Sequence, residues 1–506
     1  MKKLIPNWIF YFGIIILGIY LIIRLIDSAQ MIFYFPLARP GDIPMYMGYL
    51  YLLRDVGFHN VIPYWFNGNM VLFLLYPPGF FFVTFPIYLL TNSVEFSTYI
   101  MIPILYSIIF MVFMVFAVKE KVSKIKMAFF YFILMANPIA IGNFIRLGRV
   151  VELFAWTLMI TIFLLFIYYL NRPLNKYFYL IFIPSYILLL ISHPAILTLF
   201  HLCFLPVSFF FLINRKEKLF FAISVIISLL LTAFWWVPFL FAVMGEGSMF
   251  DSLFSFELLR FDELTYILTN TASILISLTL FIMFYFYWYY NGKDRRQLYF
   301  FLPILILNFL VLTRLIVFIP FLNNVFTDIY NIFFIFFSML FFVKIPFIKL
   351  KEHLVSFFKW GLIFIPILFV IFSLFYTPFF IIYTPMEYEV ISLLPQVEGK
   401  FFMLKGSSAT SHTPYYYIYG MIYYNLSTPY GSYTYGAVDN DYRHSLAVFQ
   451  QSSTDKNCSL LYESLQKFEV NSLIAFYDED CEFLESCGMK LKVDGEYSCL
   501  YIKNFD

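Results

Sequence analysis

Long apolar runs separated by short polar segments fill most of this 506-residue sequence. A helix needs about 20 apolar residues to cross the roughly 30 Å hydrocarbon core of a bilayer. Hydrophobic residues make up 62% of the chain and charged residues only 13%, which excludes an ordinary soluble domain. We therefore predict a polytopic α-helical membrane protein with about eleven transmembrane helices, near residues 8–26, 97–118, 127–142, 152–170, 178–192, 195–213, 219–241, 266–290, 298–313, 326–344 and 359–379.

The basic residues predict how these helices are oriented, because short loops rich in Lys and Arg stay on the cytoplasmic side of a membrane. The apolar stretch 72–90 is interrupted by prolines, so we place it at the external interface instead of across the membrane. The N-terminus is then cytoplasmic and the C-terminal tail is outside the cell membrane. On this arrangement the basic segments fall on one side: 1–3, 119–126, 171–176, 214–218, 291–296 and 344–351.

The composition changes near residue 380, where the long apolar runs stop and polar residues increase. We predict two domains: a transmembrane domain, 1–380, with a large first external loop, 27–96, and an extracytoplasmic C-terminal domain, 381–506. The end of the tail has the pattern of a strand, a helix and further strands. An α/β or α+β fold is therefore expected for this domain.

Four of the five cysteines lie in the tail: Cys458, Cys481, Cys487 and Cys499. In an oxidising compartment they predict two disulfides, and three pairings are open. A zinc site is the alternative, which we rank lower because no Cys-x-x-Cys sequence occurs. Asn425 and Asn457 each begin an Asn-x-Ser sequence, the acceptor pattern for N-glycosylation, although so short a pattern also arises by chance.

The first external loop carries polar and aromatic side chains between apolar runs, as functional loops on rigid scaffolds do. Apolar residues recur at helical spacing from Ile43 to Val56, which predicts a short amphipathic helix in the membrane interface. Asp42 immediately precedes this helix and is a candidate catalytic base. The alternative is that Asp42 only caps the helix, as Asp often does. Candidates to bind substrate from the same loop are Asp55, His59, Trp65 and Tyr76.

Short motifs in this loop resemble those of GT-C-type membrane glycosyltransferases: Gly41-Asp42, Pro63-Tyr64-Trp65, Gly68 and Tyr76-Pro77-Pro78. The sequence is most similar to their prokaryotic branch called 6-pyruvoyl-tetrahydropterin synthase related membrane proteins. Many members of this branch have a histidine four residues after the aspartate, where this chain has Tyr46. The resemblance implies a GT-C-like transmembrane domain followed by an external tail of strand, helix, strand order.

The resemblance also implies transfer of a sugar from a polyprenyl-phosphate carrier on the external face. Such a reaction needs a base for the acceptor proton and cations for the leaving phosphate. The segments predicted to be external supply both kinds of side chain. The carboxylates are Asp42, Asp55, Glu152, Glu246, Asp251, Asp262 and Glu263, and the cations are Arg149, Arg260 and Arg314.

Two of these residues outside the first loop match the resembled family. Glu152 is the second candidate catalytic acid, because the resemblance places an acidic residue in the second external loop; the alternative is a local ion pair with Arg149. Arg314 ends the ninth predicted span, where the resemblance also places an arginine, and a phosphate is a suitable partner for it. Snorkelling of the Arg314 side chain to the interface is the alternative. Arg149 and His193 are further candidates to bind substrate.

We therefore expect an integral membrane glycosyltransferase of the cell envelope. Its expected partners are membrane lipids, a polyprenyl-phosphate-linked sugar and a glycan or protein acceptor, and no basic stretch indicates nucleic acid. No cofactor is indicated with certainty, and a divalent metal ion stays an open expectation. The rival interpretation is a non-catalytic protein of the same scaffold that binds lipid-linked glycan or organises envelope assembly. A transporter is disfavoured because few ionisable residues lie inside the predicted spans.

Overall fold

The computed structural model describes residues 5–34, 41–205, 208, 215–246, 254–290, 295–346, 351–380, 384–404, 413–431, 440–476 and 478–503. The chain forms two compact units. The first contains Met1–Ile26, Met101–Trp236 and Phe250–Phe379, and the second contains Asp27–Ile100, Val237–Met249 and Phe380–Asp506. The first-loop segment and the tail therefore belong to one unit, and the predicted domain boundaries stay a prediction.

Helices account for most of the described residues, and a small sheet lies near the C-terminus. The helices are α1 Asn7–Ser28, α2 Ile43–Asp55, α3 Gly79–Thr91, α4 Val94–Lys119, α5 Lys124–Met135, α6 Pro138–Ala140, α7 Val150–Tyr169, α8 Lys176–Leu190, α9 Pro194–Cys203, α10 Arg215–Leu231, α11 Ala233–Glu246, α12 Leu264–Tyr290, α13 Arg295–Leu312, α14 Thr327–Lys344, α15 Glu352–Tyr376, α16 Pro385–Leu393, α17 Thr413–Tyr424, α18 Asn440–Thr454, α19 Cys458–Lys467 and α20 Asp478–Ser486. The strands are β1 Phe401–Leu404, β2 Ser472–Phe476, β3 Lys490–Asp494 and β4 Ser498–Ile502.

Among the described residues, 7 helices are long and apolar enough to cross a membrane, or up to 9 if each of two bent pairs is one span. A multi-pass membrane protein is therefore confirmed, and the described part of the chain contains fewer complete spans than the eleven predicted. The predicted spans 178–192 and 195–213 contain helices of 15 and 10 residues, and residues 206–207 and 209–214 lie outside the described ranges. The orientation of the termini stays a prediction.

The first bent pair, α5 with the helical turns that follow it, changes direction by 51°. Pro138 has no N–H to continue the helix, and Asn137 satisfies the backbone groups exposed at the break. Its Oδ1 accepts hydrogen bonds from the N–H groups of Ile139 and Ala140 at 3.0 Å, and its Nδ2 donates to the carbonyl of Leu134 at 2.7 Å. The bend leads directly into the polar segment before α7.

α7 and α14 form the centre of the first unit, because 89% and 78% of their apolar stretches are buried. Phenylalanine rings fill the space between them and their neighbours. The ring of Phe163 lies 4.3 Å from that of Phe204 and 4.7 Å from that of Phe337, centroid to centroid. Such edge and tilted contacts are favourable for aromatic side chains. The N-terminal ends of these two central helices carry the carboxylates described below.

The tail of the second unit contains a four-stranded sheet in the order β1-β2-β4-β3. β1 runs parallel to β2, and β4 pairs antiparallel with both β2 and β3. The predicted strand, helix, strand order is confirmed by β2, α20, β3 and β4. β2 is entirely buried, because helices of the tail pack apolar side chains against the sheet. The parallel strand β1 was not predicted.

The two predicted disulfides are present. Cys458 is bonded to Cys487 with a Cα to Cα distance of 5.3 Å, and Cys481 is bonded to Cys499 with 6.1 Å. They connect the start of α19 to the end of α20, and α20 to β4. Both bridges therefore fasten α20, a helix of 9 residues, to the rest of the tail.

α2 begins and ends within one residue of the prediction, but its expected environment is wrong. Ten of its 13 residues are buried, so the helix does not lie amphipathically in a membrane interface. A Cβ added at Gly48 would lie 3.2 Å from Ile418 of α17 and 3.3 Å from Trp65. The tail helix α17 and Trp65 therefore cover faces of α2 that we expected to be exposed.

Candidate functional site

A cluster of polar side chains joins the segment before α7 to the start of α14 in the first unit. One oxygen of Asp328 accepts hydrogen bonds from Asn143 at 2.6 Å and from the guanidinium of Arg149 at 2.7 Å. The Arg149 guanidinium also lies over the ring of Phe326 at 4.7 Å. Because charged hydrogen bonds are about twice as strong as neutral ones, this carboxylate holds Arg149 in a defined position.

Glu152 approaches the same guanidinium nitrogen of Arg149. Its carboxylate lies 3.7 Å from Arg149 and accepts a hydrogen bond from the indole N–H of Trp156 at 3.2 Å. Glu152 is 1% exposed, which means that a substrate hydroxyl would have to displace its protein neighbours to reach it. The local ion pair with Arg149, one of the two sequence interpretations, is therefore present. A catalytic role for Glu152 stays a prediction.

Asp328 was not among the site residues predicted from the sequence. A usable signal was present, because Asp328 is the only carboxylate between Arg295 and Lys351 and stands in the first turn of an apolar helix. Its partner Arg149 is 179 residues away in the chain, so no local pattern could pair the two residues.

His193 lies in the turn before α9. Burial and the positive charge of Arg149 lower the pKa of His193 to about 4. Its Nδ1 is buried and has no hydrogen-bond partner among the described residues. His193 is therefore neutral at physiological pH and supplies no positive charge for a phosphate.

We expect the unfolding temperature to reveal this titration. The ordinary pKa of His is about 6.5, so the stability due to neutral His193 is fully present above pH 6.5 and is lost as the pH falls toward 4. A shift of this size corresponds to at most about 3 kcal/mol. Thermal unfolding in detergent between pH 7 and pH 4 should show a steeper decline for the unmodified protein than for His193→Gln. An equal decline of the unfolding temperature with pH in the two proteins would contradict the prediction. The other titrating groups are present in both proteins, so they do not contribute to the difference between them.

Arg314 follows α13 and adopts a left-handed backbone conformation, with φ of 65°. Its guanidinium donates to the carbonyls of Asn270 at 3.2 Å and Val311 at 3.4 Å. Among the described residues no carboxylate forms an ion pair with Arg314, and the side chain is only partly exposed. Partial burial lowers its pKa, but arginine remains protonated in proteins. Within the described ranges, the positive charge of Arg314 is therefore not compensated by a carboxylate.

Asp42 belongs to the second unit and is partly exposed. It precedes α2, but its side chain makes no capping hydrogen bond, so the capping interpretation is not observed. The hydroxyl of Tyr46 lies 3.4 Å from the Asp42 carboxylate. Burial and the negative charge of Asp42 raise the pKa of Tyr415, in α17, to about 12. The carboxylate therefore has two protonated phenols near it.

The other first-loop candidates are Asp55, His59, Trp65 and Tyr76, and they differ in exposure and in their contacts. Asp55 is exposed and accepts a hydrogen bond from Tyr64 at 2.8 Å. His59 has a positive φ of 55°, and its ring stacks on Phe58 at 3.9 Å. Trp65 is completely buried, and Tyr76 stacks on Tyr49, the two ring centroids being 5.2 Å apart. The last two residues shape the loop around α2, and contact of any of the four with substrate stays a prediction.

The remaining candidates are more scattered. Arg260 pairs with Asp262 at 2.9 Å and with Glu263 at 3.1 Å on an exposed surface. Asp251 and the side chain of Glu246 lie outside the described part of the chain.

The two candidate glycosylation sites differ in their surroundings. Asn425 is exposed, whereas Asn457 accepts a hydrogen bond from the N–H of Leu460 and caps α19. This capping role is a structural reason for an asparagine at position 457. Glycosylation at either asparagine stays a prediction.

Within the described ranges, no group of three or more His, Cys, Asp or Glu side chains is arranged to hold a metal ion. In the first unit the Arg149 guanidinium lies against the carboxylates of both Glu152 and Asp328. This cluster does not fit a divalent cation, because a bound arginine already compensates its negative charge.

Comparison with known proteins gives a result at the level of fold. No protein-family model and no curated protein matches the sequence. The solved structure of the Archaeoglobus fulgidus oligosaccharyltransferase, in complex with Zn and sulfate, matches with a TM-score of 0.51 and 11% sequence identity. The match covers 90% of this chain and 68% of that one. The two proteins share a fold. The assignment to a superfamily, and to a branch within it, stays a prediction.

Proposed function

We propose that this protein is a GT-C-type membrane glycosyltransferase of the branch named above. It would transfer a sugar from a polyprenyl-phosphate-linked donor to a glycan or protein acceptor on the external face of the cell membrane. The observation that carries this proposal is the fold shared with an oligosaccharyltransferase over 90% of the chain. Fold alone does not determine activity, so the roles of particular side chains are argued separately.

Asp42 is the proposed base. It is partly exposed, is not used as a helix cap, and lies near two phenols that can donate hydrogen bonds to it. In the proposed step Asp42 takes the proton of the acceptor nucleophile as that atom bonds to the anomeric carbon of the sugar. The bond from this carbon to the phosphate oxygen breaks, and its electron pair remains on the phosphate of the carrier.

Arg314 is the proposed partner of that phosphate. Its charge is uncompensated among the described residues, whereas Arg149 already lies between two carboxylates. A phosphate would supply the missing partner through charged hydrogen bonds. We assign Arg149 and Glu152 the role of holding the start of α7 in place. The divalent metal ion stays an expectation, and none of these steps depends on it.

The experiment is a transfer assay on the full-length protein in lipid nanodiscs, with polyprenyl-phosphate-linked sugars as donors. Arg314→Gln should lower kcat/KM for the donor by about 10- to 100-fold, since a hydrogen bond to a charged group contributes about 1.5–3 kcal/mol. Arg314→Lys should recover part of the loss, because it retains the charge without the forked geometry. Arg295→Gln, an exposed position at the other end of α13, serves as the matched control.

Two outcomes would contradict the proposal in different ways. Equal activity of Arg314→Gln and the control would exclude Arg314 as the phosphate partner while leaving the transferase function intact. If the unmodified protein turns over no lipid-phosphate sugar with any glycan or peptide acceptor, the non-catalytic interpretation is preferred.

A further inference from the structure

The tail contains a cleft at one end of its sheet, which we call the sheet-end cleft. Its volume is about 620 Å³, within the range of about 300 to 1,000 Å³ typical of small-molecule sites. Its polar lining comes from segments that end or begin at the same edge: Lys400 before β1, Asn471 before β2, Lys503 after β4, Asn425 and Ser427 after α17, and Gln466 in α19. None of these residues is a candidate for the transfer step.

Several polar groups in this lining have no hydrogen-bond partner within the described part of the chain. Asn471 accepts a hydrogen bond from the Lys400 N–H at 3.2 Å through Oδ1, which leaves its Nδ2 without a partner. Asn425 likewise accepts from Tyr51 through Oδ1 at 2.9 Å, and its Nδ2 is unused. The Ser427 hydroxyl and the Gln466 amide, which also line the cleft, make no hydrogen bond to other described residues. Unused amides and a hydroxyl thus face one cavity.

Backbone hydrogen bonds hold the frame of the cleft. The Asn471 N–H donates to the Lys400 carbonyl at 2.8 Å, and the Lys503 N–H donates to the Asn471 carbonyl at 2.9 Å. Gly399 has a φ of +66°, and a Cβ at this position would lie 2.6 Å from Asn471 Oδ1. Glycine is therefore required where the chain passes this side chain. A site built in this way is preformed and loses little freedom when it binds a ligand.

The charge of the lining favours an anion. Two lysines face one carboxylate, that of Glu469, which pairs with Lys400 at 3.0 Å. The Glu469 side chain is 79% exposed, and an exposed ion pair of this kind contributes little. A ligand carboxylate can therefore compete for Lys400, and Lys503 adds a second positive charge.

We propose that the sheet-end cleft binds a carboxylate-bearing saccharide. Amides both donate and accept hydrogen bonds, as sugar hydroxyls do, and the lysines suit a single carboxylate. Leu426, Leu465 and Val470 in the same lining supply apolar surface for the C–H faces of a sugar ring. The lining contains no arginine for bidentate recognition of a phosphate, and its two lysines act as point charges. The inference stands independently of the proposed transfer reaction.

Isothermal titration of the full-length protein in nanodiscs tests the proposal. The protein is produced in a host without N-glycosylation, so that Asn425 is unmodified. The probes are cellobiouronic acid and neutral cellobiose, which differ by the carboxylate. We expect the acidic disaccharide to bind at least about tenfold more tightly, and Lys503→Gln and Gln466→Ala each to weaken its binding by about tenfold. Lys490→Gln, a lysine on β3 outside the cleft, is the matched control.

Each alternative outcome overturns the proposal. Absence of binding by both disaccharides excludes a saccharide site, and equal affinity for both excludes the carboxylate. A loss of the same size in Lys490→Gln shows a non-specific charge effect. Binding of the acidic disaccharide is also measured for Asp42→Asn, and we expect it to be unchanged. The cleft can therefore be tested even if the proposed transfer reaction is wrong.

Discussion

Replacing Asp42 with asparagine is expected to lower sugar transfer by roughly 100-fold or more, the usual scale for loss of a general base. Asparagine has nearly the size of aspartate but cannot take the proton of the acceptor. The Asp42 side chain makes no capping hydrogen bond with α2, so the substitution should leave the stability of the helix almost unchanged.

The measurement is single-turnover transfer by purified Asp42→Asn, together with its unfolding temperature. Asp455→Asn removes an exposed carboxylate from the same unit and is the matched control, expected to retain full activity. A stable Asp42→Asn protein with normal turnover would eliminate Asp42 as the base. A protein that loses stability but keeps its turnover would restore the capping interpretation despite the observed geometry.

Tyr46 gives a related reason to examine this carboxylate. Many members of the resembled branch have histidine at this position, and here the Tyr46 hydroxyl lies 3.4 Å from Asp42. Tyrosine remains protonated at neutral pH, so it can donate a hydrogen bond but cannot accept a proton as neutral histidine does. Among the described residues, Tyr46 therefore gives the proposed base Asp42 a hydrogen-bond donor and not a second base.

The sequence predicted features that depend on local pattern. Apolar length alone located the long helices, and helical spacing placed α2 to within a residue. The distribution of cysteines predicted two disulfides without their pairing. Thr327–Lys344 illustrates the strength of this signal, since the predicted span 326–344 differs from the helix by one residue at its start.

The features that the sequence did not predict depend on contacts between distant segments. β1 pairs with β2 across about 70 residues, and α17 covers α2 across more than 350. The broken span at Asn137 depends on a side chain that satisfies two helix ends at once. Hydrophobic periodicity contains none of this information, because it describes one element at a time.

The cluster around Arg149 has the same long-range character, and it leads to the second large effect. Arg149→Met should lower the free energy of unfolding by about 3–5 kcal/mol, because removal of one member of a buried ion pair leaves a charge uncompensated. The charge left uncompensated is that of Glu152, because its side chain is 2% exposed and lies 3.7 Å from the guanidinium. Asp328 is 25% exposed and suffers less, since water can solvate it.

Unfolding in mixed micelles, followed by intrinsic fluorescence, measures this change. Arg149→Met combined with Glu152→Gln should recover much of the loss, because the buried group is then neutral and isosteric. Arg172→Met is the matched control: Arg172 pairs with Glu120 at 2.5 Å, but its side chain is 42% exposed, so a loss of about 1 kcal/mol or less is expected. If Arg149→Met unfolds normally but loses affinity for the lipid-phosphate donor, Arg149 binds substrate and does not hold α7. In that case the double variant would fail to restore transfer, because the missing group would be the cation itself and not a balance of buried charge.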